Sequence, residues 1–232
     1  MFTKLAHERN YSQTRRETKQ IKYIVVHYTA NNGDTARNNC NYYHENIVKA
    51  SAHFFVDDTE VCCSVPWDNI AWHCGGNKYS YSAGGSMFGL CTNANSIGIE
   101  MCSRKTEKGV YYFTEAVLEN AAKFVAKQMK IYGLGIDRVI RHYDVTGKYC
   151  PAPFVDSFAW KEFKQKVMDY YNGKSGETMI YYETLEQIPA GEQREIVREL
   201  VEKGVIKGND KGLHISTDMS RMFVFMRRLN II

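Results

Sequence analysis

The 232-residue chain has only four prolines, no apolar run long enough to cross a bilayer and no dense block of lysine and arginine. Without about twenty consecutive apolar residues there is no membrane insertion by a spanning helix. Without a Lys/Arg block, nucleic acid is a poor partner. The net charge of +4 still permits approach to a polyanion such as an anionic cell wall. From Lys174 onward nine basic residues balance nine acidic ones, so the excess lies in the first 173 residues. The cysteines, at 40, 62, 63, 74, 91, 102 and 150, are odd in number and lack CxxC or other framework spacing. A chain of this length needs no disulfides to fold, which points to reduced thiols, with one thiolate available to a metal. The opening "MFTKLAHERNYSQTRRETKQ" is polar and has no apolar leader. The expectation is synthesis without a signal peptide, so a substrate outside the cytoplasm requires release by another route.

What is present reads as alternating strands and helices. "KYIVVHY" (22–28) is a β-branched run with the character of a buried strand. Residues 35–50 read as a helix capped by Asp34 or Thr35. Residues 53–65 read as a hairpin turning at Asp57-Asp58-Thr59, and 74–96 as a long Gly-, Ser- and Asn-rich loop. "SIGIEMC" (96–102) and "RVIRH" (138–142) read as strands. Residues 114–133 form an amphipathic helix capped by Thr114 and ended by Gly133, with Val117, Ala121, Phe124, Val125 and Met129 as its apolar stripe. Residues 156–171 form another, with Trp160, Phe163 and Val167 inward. The fold class is therefore mixed α/β, a central β-sheet flanked by helices. The segment 174–178 reads as a linker between a domain at 1–173 and a small, mainly helical unit at 179–232. In that unit one helix buries Ile196, Val197, Leu200 and Val201, and the other Met219, Met222, Phe223 and Met226.

The chemistry gathers at strand ends. His27 closes the first strand and His142 the last. Cys150 follows on a tight loop with Pro151 and Pro153 just beyond it. Two imidazoles and a thiolate on rigid supports suit Zn²⁺ and leave a fourth position for water. Alone, each has a plainer reading: a satisfied core histidine, or a thiol acting as a small hydrophobe. In "NSIGIEMC" alternation puts Glu100 on the face opposite Ile99 and Met101, either as a surface carboxylate or as the base that a metal-activated water requires.

Four separated motifs, "IKYIVVHYTA", "SAHFFVDD", "NSIGIE" and "RHYDVTGKYCPAP", resemble in sequence and order the type 2 N-acetylmuramoyl-L-alanine amidases. That family includes phage lysins, bacterial autolysins and animal peptidoglycan-recognition proteins, and the resemblance spans roughly residues 20–170. It implies that His27, His142 and Cys150 are zinc ligands, Cys150 standing where some relatives carry Asp. It implies that Glu100 is the catalytic carboxylate and Lys148 the cation beside the developing oxyanion. Some relatives carry Tyr before the histidine of "SAHFFV"; here Ala52 stands there, which moves weight to Glu100. The resemblance also suggests that His73, in "AWHCGG", faces a substrate groove. Trp72, Trp67 and the Tyr-rich "NKYSYS" are candidates for stacking on sugar rings, with core packing the stronger reading for Trp67. His53 reads as structural, and neither His44 nor His214 is assigned to metal.

The implied activity is hydrolysis of the bond between N-acetylmuramic acid and L-alanine in bacterial peptidoglycan, by a phage or prophage endolysin made in the bacterial cytoplasm and acting on the wall after release. The rivals are a recognition module that binds without cutting and a cytoplasmic amidase recycling muropeptides. The C-terminal unit is similar to a single S-layer-homology-like module, which implies attachment to a wall polymer. The alternative is a helix pair that makes a homodimer. Met179, preceded by Gly176-Glu177, raises one more expectation: an internal start that yields a C-terminal fragment able to associate with the full chain.

Overall fold

The computed structural model describes residues 1–173, 181–209, 212–228 and 231. They fall into two compact units, Met1–Gly176 and Glu177–Ile232. In the first unit the strands are β1 (Phe2–Thr3), β2 (Tyr11–Ser12), β3 (Tyr23–Tyr28), β4 (Phe54–Val56), β5 (Val61–Cys63), β6 (Ile70–Ala71), β7 (Ser96–Met101), β8 (Arg104–Lys105), β9 (Tyr111–Tyr112) and β10 (Val139–Arg141). The helices are α1 (Ala36–Glu45), α2 (Glu115–Tyr132), α3 (His142–Thr146) and α4 (Ser157–Tyr171). Six strands make the central sheet in the order β1-β5-β4-β7-β3-β10. Its pairings are parallel except for the β4–β5 hairpin.

Register gives the two faces different work. Ile24, Val26, Ile97, Ile99 and Met101 point to one face, where α2 and α4 cover them in the main core. Fully burying one such side chain is worth about 1.5–3 kcal/mol, so this face holds the sheet in place. The other face holds Tyr23, Val25 and Ile140 in one cluster and Phe55 with Ala36 and Cys40 in another. His27 and Glu100, register partners on β3 and β7, belong to that second face. The caps follow local chemistry. The Thr114 hydroxyl accepts from Val117 N–H, and Gly133 ends α2 at φ 64, a left-handed turn open to glycine. Asp156 caps α4 and Thr35 caps α1.

Three expectations are corrected here. The helix expected over 35–50 ends at Glu45, because Asn46 turns to extended backbone and donates its amide to the Tyr42 carbonyl. The strand expected to end on His142 stops at Arg141, because the Asp144 carboxylate accepts from Arg141 N–H and opens α3 at His142. The cysteines are not all reduced. Cys40 on α1 and Cys62 on β5 form a disulfide with Cα atoms 6.7 Å apart, a proximity made by helix-on-sheet packing and invisible in their spacing.

The second unit contains β11 (Tyr181–Tyr182), α5 (Glu192–Glu202), β12 (Ile215–Ser216) and α6 (Thr217–Arg228), with β11 and β12 antiparallel. Tyr182, Ile188, Val197 and Ile215 form its core, and Val201 and Phe223 pack against it. The stripe expected to be buried on α6 is only partly so: Met219 and Met222 are exposed. The expected linker at 174–178 and Met179 lie outside the described residues. Among the described residues no helix is long and apolar enough to cross a membrane.

Alkylating the unfolded, unreduced protein should label the five free cysteines, 63, 74, 91, 102 and 150. Reduction should raise the count to all seven. Seven labels without reduction would remove the Cys40–Cys62 bond from the account.

Candidate active site

β3 delivers His27, and the short turn of α3 delivers His142 beside it, with ring centroids 4.8 Å apart. The loop after α3 returns Cys150 to the same place. Its carbonyl accepts from Tyr143 N–H at 2.8 Å, which closes the loop onto the helix. One ligand atom from each of His27, His142 and Cys150 lies within 4.8 Å of the others, and all three residues are buried. The triad expected from the sequence is thus assembled.

Electrostatics keeps the imidazoles neutral. Burial, then His142 and His73, hold His27 well below the ordinary histidine range. Burial, then Lys148 and His73, hold His142 down at about 3. Burial, then Glu100, pushes the Cys150 thiol up to about 12. The bare site is therefore two neutral nitrogen donors and a protonated thiol, and a metal binding there must displace the thiol proton.

A chain of hydrogen bonds sets which His27 nitrogen is bare. Ser96 donates its hydroxyl proton to the Thr92 carbonyl at 2.6 Å. Its oxygen then accepts from His73 Nε2–H at 3.1 Å. That tautomer makes His73 Nδ1 an acceptor for His27 Nε2–H at 3.0 Å. The proton positions are assigned from network consistency. They leave the lone pair of His27 Nδ1 facing Cys150 Sγ at 3.6 Å. Metal-binding histidines are commonly oriented in this way through their second nitrogen.

Glu100 sits beside His27 across the β3–β7 register. Its Oε2 is buried without a hydrogen-bond partner among the described residues. Burial outweighs the attraction of Lys148, so the carboxyl is pushed up to about 8. Lys148 is exposed at the rim, lining with His142, Lys78 and Tyr79 a pocket of about 340 Å³. Glu100 opens instead onto a pocket of about 540 Å³ lined by Asn31, Asp34, Asn38, Asn39 and Tyr43. His142, at the end of β10, lines the first pocket and Glu100, on β7, the second, and β3 with His27 lies between those two strands in the sheet.

A family model described as N-acetylmuramoyl-L-alanine amidase matches residues 17–153, more than half of the chain. The chain belongs to the N-acetylmuramoyl-L-alanine amidase family. It is 38% identical over 172 residues to the amidase BlyA of Bacillus subtilis (strain 168), covering 71% of this chain and 46% of BlyA. It is 37% identical over 161 residues to CwlL of Bacillus licheniformis, covering 67% of this chain and 43% of CwlL. The chain thus spans less than half the length of these curated relatives. The solved structure of PlyL matches at a TM-score of 0.57 with 31% identity, over 72% of this chain and 96% of PlyL. The fold is that of these amidases.

Within this family fold, two expected contacts fall elsewhere. His73 was expected to face the groove, but both its ring nitrogens are engaged, by His27 and Ser96. Trp72 lines a pocket of about 510 Å³ with Cys74, Phe88 and Val145, and none of the triad borders it. That pocket shares Gly75 and Gly76 with the one at His142. His53 is structural as expected, accepting from Gly98 N–H at 3.0 Å.

Sequence reasoning missed the support of this shell. Arg16 is buried and donates to the carbonyls of Trp67, Asn93, Ala94 and Ser96 at 2.8–3.2 Å. It therefore pins the residues that hold His73, and the Arg-Arg pair gave no sign of this. Gly98 carried a signal that the sequence reading did not use: a glycine inside a strand marks close approach. A Cβ there would lie 2.5 Å from His73 Cγ.

Wild-type protein should show a slowly exchanging imidazole N–H from His27 Nε2 in proton NMR. Gly98→Ala should displace His73 and abolish that signal. Its persistence in a folded variant would contradict the relay.

Proposed function

We propose that the unit Met1–Gly176 is a zinc-dependent amidase that cleaves the bond between N-acetylmuramic acid and L-alanine in peptidoglycan. The observation that carries this reading is the convergence of two neutral imidazoles and a thiol beside a buried carboxylate oxygen with no partner. The donor set fits Zn²⁺, for which two imidazole nitrogens and a thiolate sulfur are suitable ligands. His27 would bind through Nδ1, with His142 and Cys150 completing the set. When bound, the ion supplies Lewis-acid chemistry, polarising a carbonyl and favouring ionisation of water.

The chain's own residues do the rest. Glu100 accepts the proton of the attacking water at its unpaired oxygen and passes it to the leaving amine of L-alanine. A cation at the triad lowers the carboxyl's raised pKa towards the base form. Lys148 places its ammonium beside the developing oxyanion, where it stabilises charge present only in the transition state. His73 acts through His27 and does not touch substrate.

The homologous amidases support a wall polymer as substrate, and an endolysin acting after release suits this reading. The unit Glu177–Ile232 is assigned to wall attachment. A separate compact unit suits an insoluble substrate, because it raises the effective concentration of the enzyme at the polymer. The exposed Met219 and Met222 offer it an apolar contact, to wall polymer or to a second copy.

Cys150→Ser should lose most bound Zn²⁺, read by elemental analysis of the purified protein. Glu100→Gln and Lys148→Ala should retain the metal and lose about a hundredfold or more in turnover. Turnover is read as new alanine amino groups from purified walls without new reducing ends. Full zinc occupancy in Cys150→Ser, or near-normal turnover in Glu100→Gln, would overturn the respective assignment. His73→Ala should weaken Zn²⁺ binding about 10–100-fold while the fold persists.

A further inference from the structure

Beyond the triad, the molecule holds a cluster of tyrosines that the chemistry above does not use. Tyr149 lies between Lys148 and Cys150 in sequence, yet 53% of it is exposed. Tyr81, at 69% exposed, stacks near-parallel to it at 20°, with ring centroids 6.5 Å apart. Tyr79 meets Tyr81 edge-on at 5.4 Å, and Tyr143 lies 6.0 Å from Tyr149.

The cluster is built rather than loose. Tyr79 N–H donates to the Thr146 carbonyl, Gly85 N–H to that of Tyr143 and Met87 N–H to that of Asp144, at 2.7–2.9 Å. These bonds zip the loop onto α3. Gly84 permits the closeness, since a Cβ there would lie 2.4 Å from the Tyr143 carbonyl oxygen. The cluster is also continuous with the site, because Tyr79 lines the same pocket as His142 and Lys148.

We propose that Tyr81 and Tyr149, with Tyr79 behind them, form a saccharide subsite that holds the glycan strand of peptidoglycan. The proposal rests on the amidase reading above and gives the substrate a direction. A muramoyl amide has a sugar on one side of the scissile bond and a peptide on the other. His142 beyond β10 lines one pocket and Glu100 on β7 lines the other, with the His27 strand between them in the sheet. The β7 side carries amide and carboxylate side chains suited to a peptide's N–H and C=O groups, together with Tyr42, Tyr43 and Phe55, which suit its apolar side chains. The β10 side offers the exposed rings of Tyr81 and Tyr149, each with its own phenol hydroxyl. A pyranose has an apolar C–H face and a hydroxyl edge, and tyrosine matches both. Preorganised rings also lose little conformational entropy on binding. The glycan therefore runs over the tyrosines, and the peptide leaves past Glu100.

The test uses the full chain and a peptide-free tetrasaccharide of alternating N-acetylglucosamine and N-acetylmuramic acid. This probe lacks the scissile amide, so its binding can be titrated without turnover. Tyr81→Ala should weaken binding about tenfold, while Tyr81→Phe should keep most of it. Both variants should retain the wild-type melting midpoint and zinc content. Wild-type protein that fails to bind the tetrasaccharide, or Tyr81→Ala that binds it equally well, overturns the proposal. So does a Tyr81→Ala defect confined to a sugar-free stem peptide, which would make the cluster a peptide surface. Failure of wild type to cleave any muramoyl amide would contradict the amidase reading and leave the glycan titration interpretable.

Discussion

The pairing of His27 with Glu100 across β3 and β7 is the constraint on which the site depends. Parallel strands lie about 4.8 Å apart, so an imidazole and a carboxylate in register are neighbours without any loop having to place them. The opposite face makes this rigid. Ile24, Val26, Ile97 and Ile99 are fully buried beneath α2 and α4. A one-residue slip of either strand would turn apolar side chains to the site and polar ones to the core. Hydrophobic patterning thus fixes the chemistry at atomic register.

Around that pair the structure tolerates polar burial because almost every group has a partner. Arg16 keeps its charge although burial pushes it down to about 10, and four backbone carbonyls accept from it. His53, His73 and Ser96 are bonded to their neighbours in turn. Against this background the unpartnered oxygen of Glu100 stands out. A buried polar atom left unsatisfied costs about 1–3 kcal/mol, a cost that a ligand, substrate or water at the site would relieve.

Much of this was legible in the sequence, for identifiable reasons. The strands and α2 follow from strong periodicity, and Thr114 and Gly133 act as their residue types dictate. His27, His142 and Cys150 were legible as a group through the motifs that carry the family resemblance, although only His27 lies on a strand, His142 opening α3 and Cys150 lying on the loop beyond it. Contacts between elements distant in sequence were not. Cys40 meets Cys62 only because α1 packs on the hairpin. His73 turns inward to His27 because Gly98 leaves room for its ring, so its two ring nitrogens meet His27 and Ser96. The α6 stripe misled because periodicity shows that a face is apolar without showing what covers it.

The proposed zinc site is defined by what surrounds a metal at His27. X-ray absorption spectroscopy at the zinc edge of the full, metal-loaded chain measures this directly. One sulfur and two imidazole nitrogens are expected around the zinc, with the sulfur lost in Cys150→Ser. A shell of oxygen and nitrogen alone in the wild-type protein would contradict the proposed site.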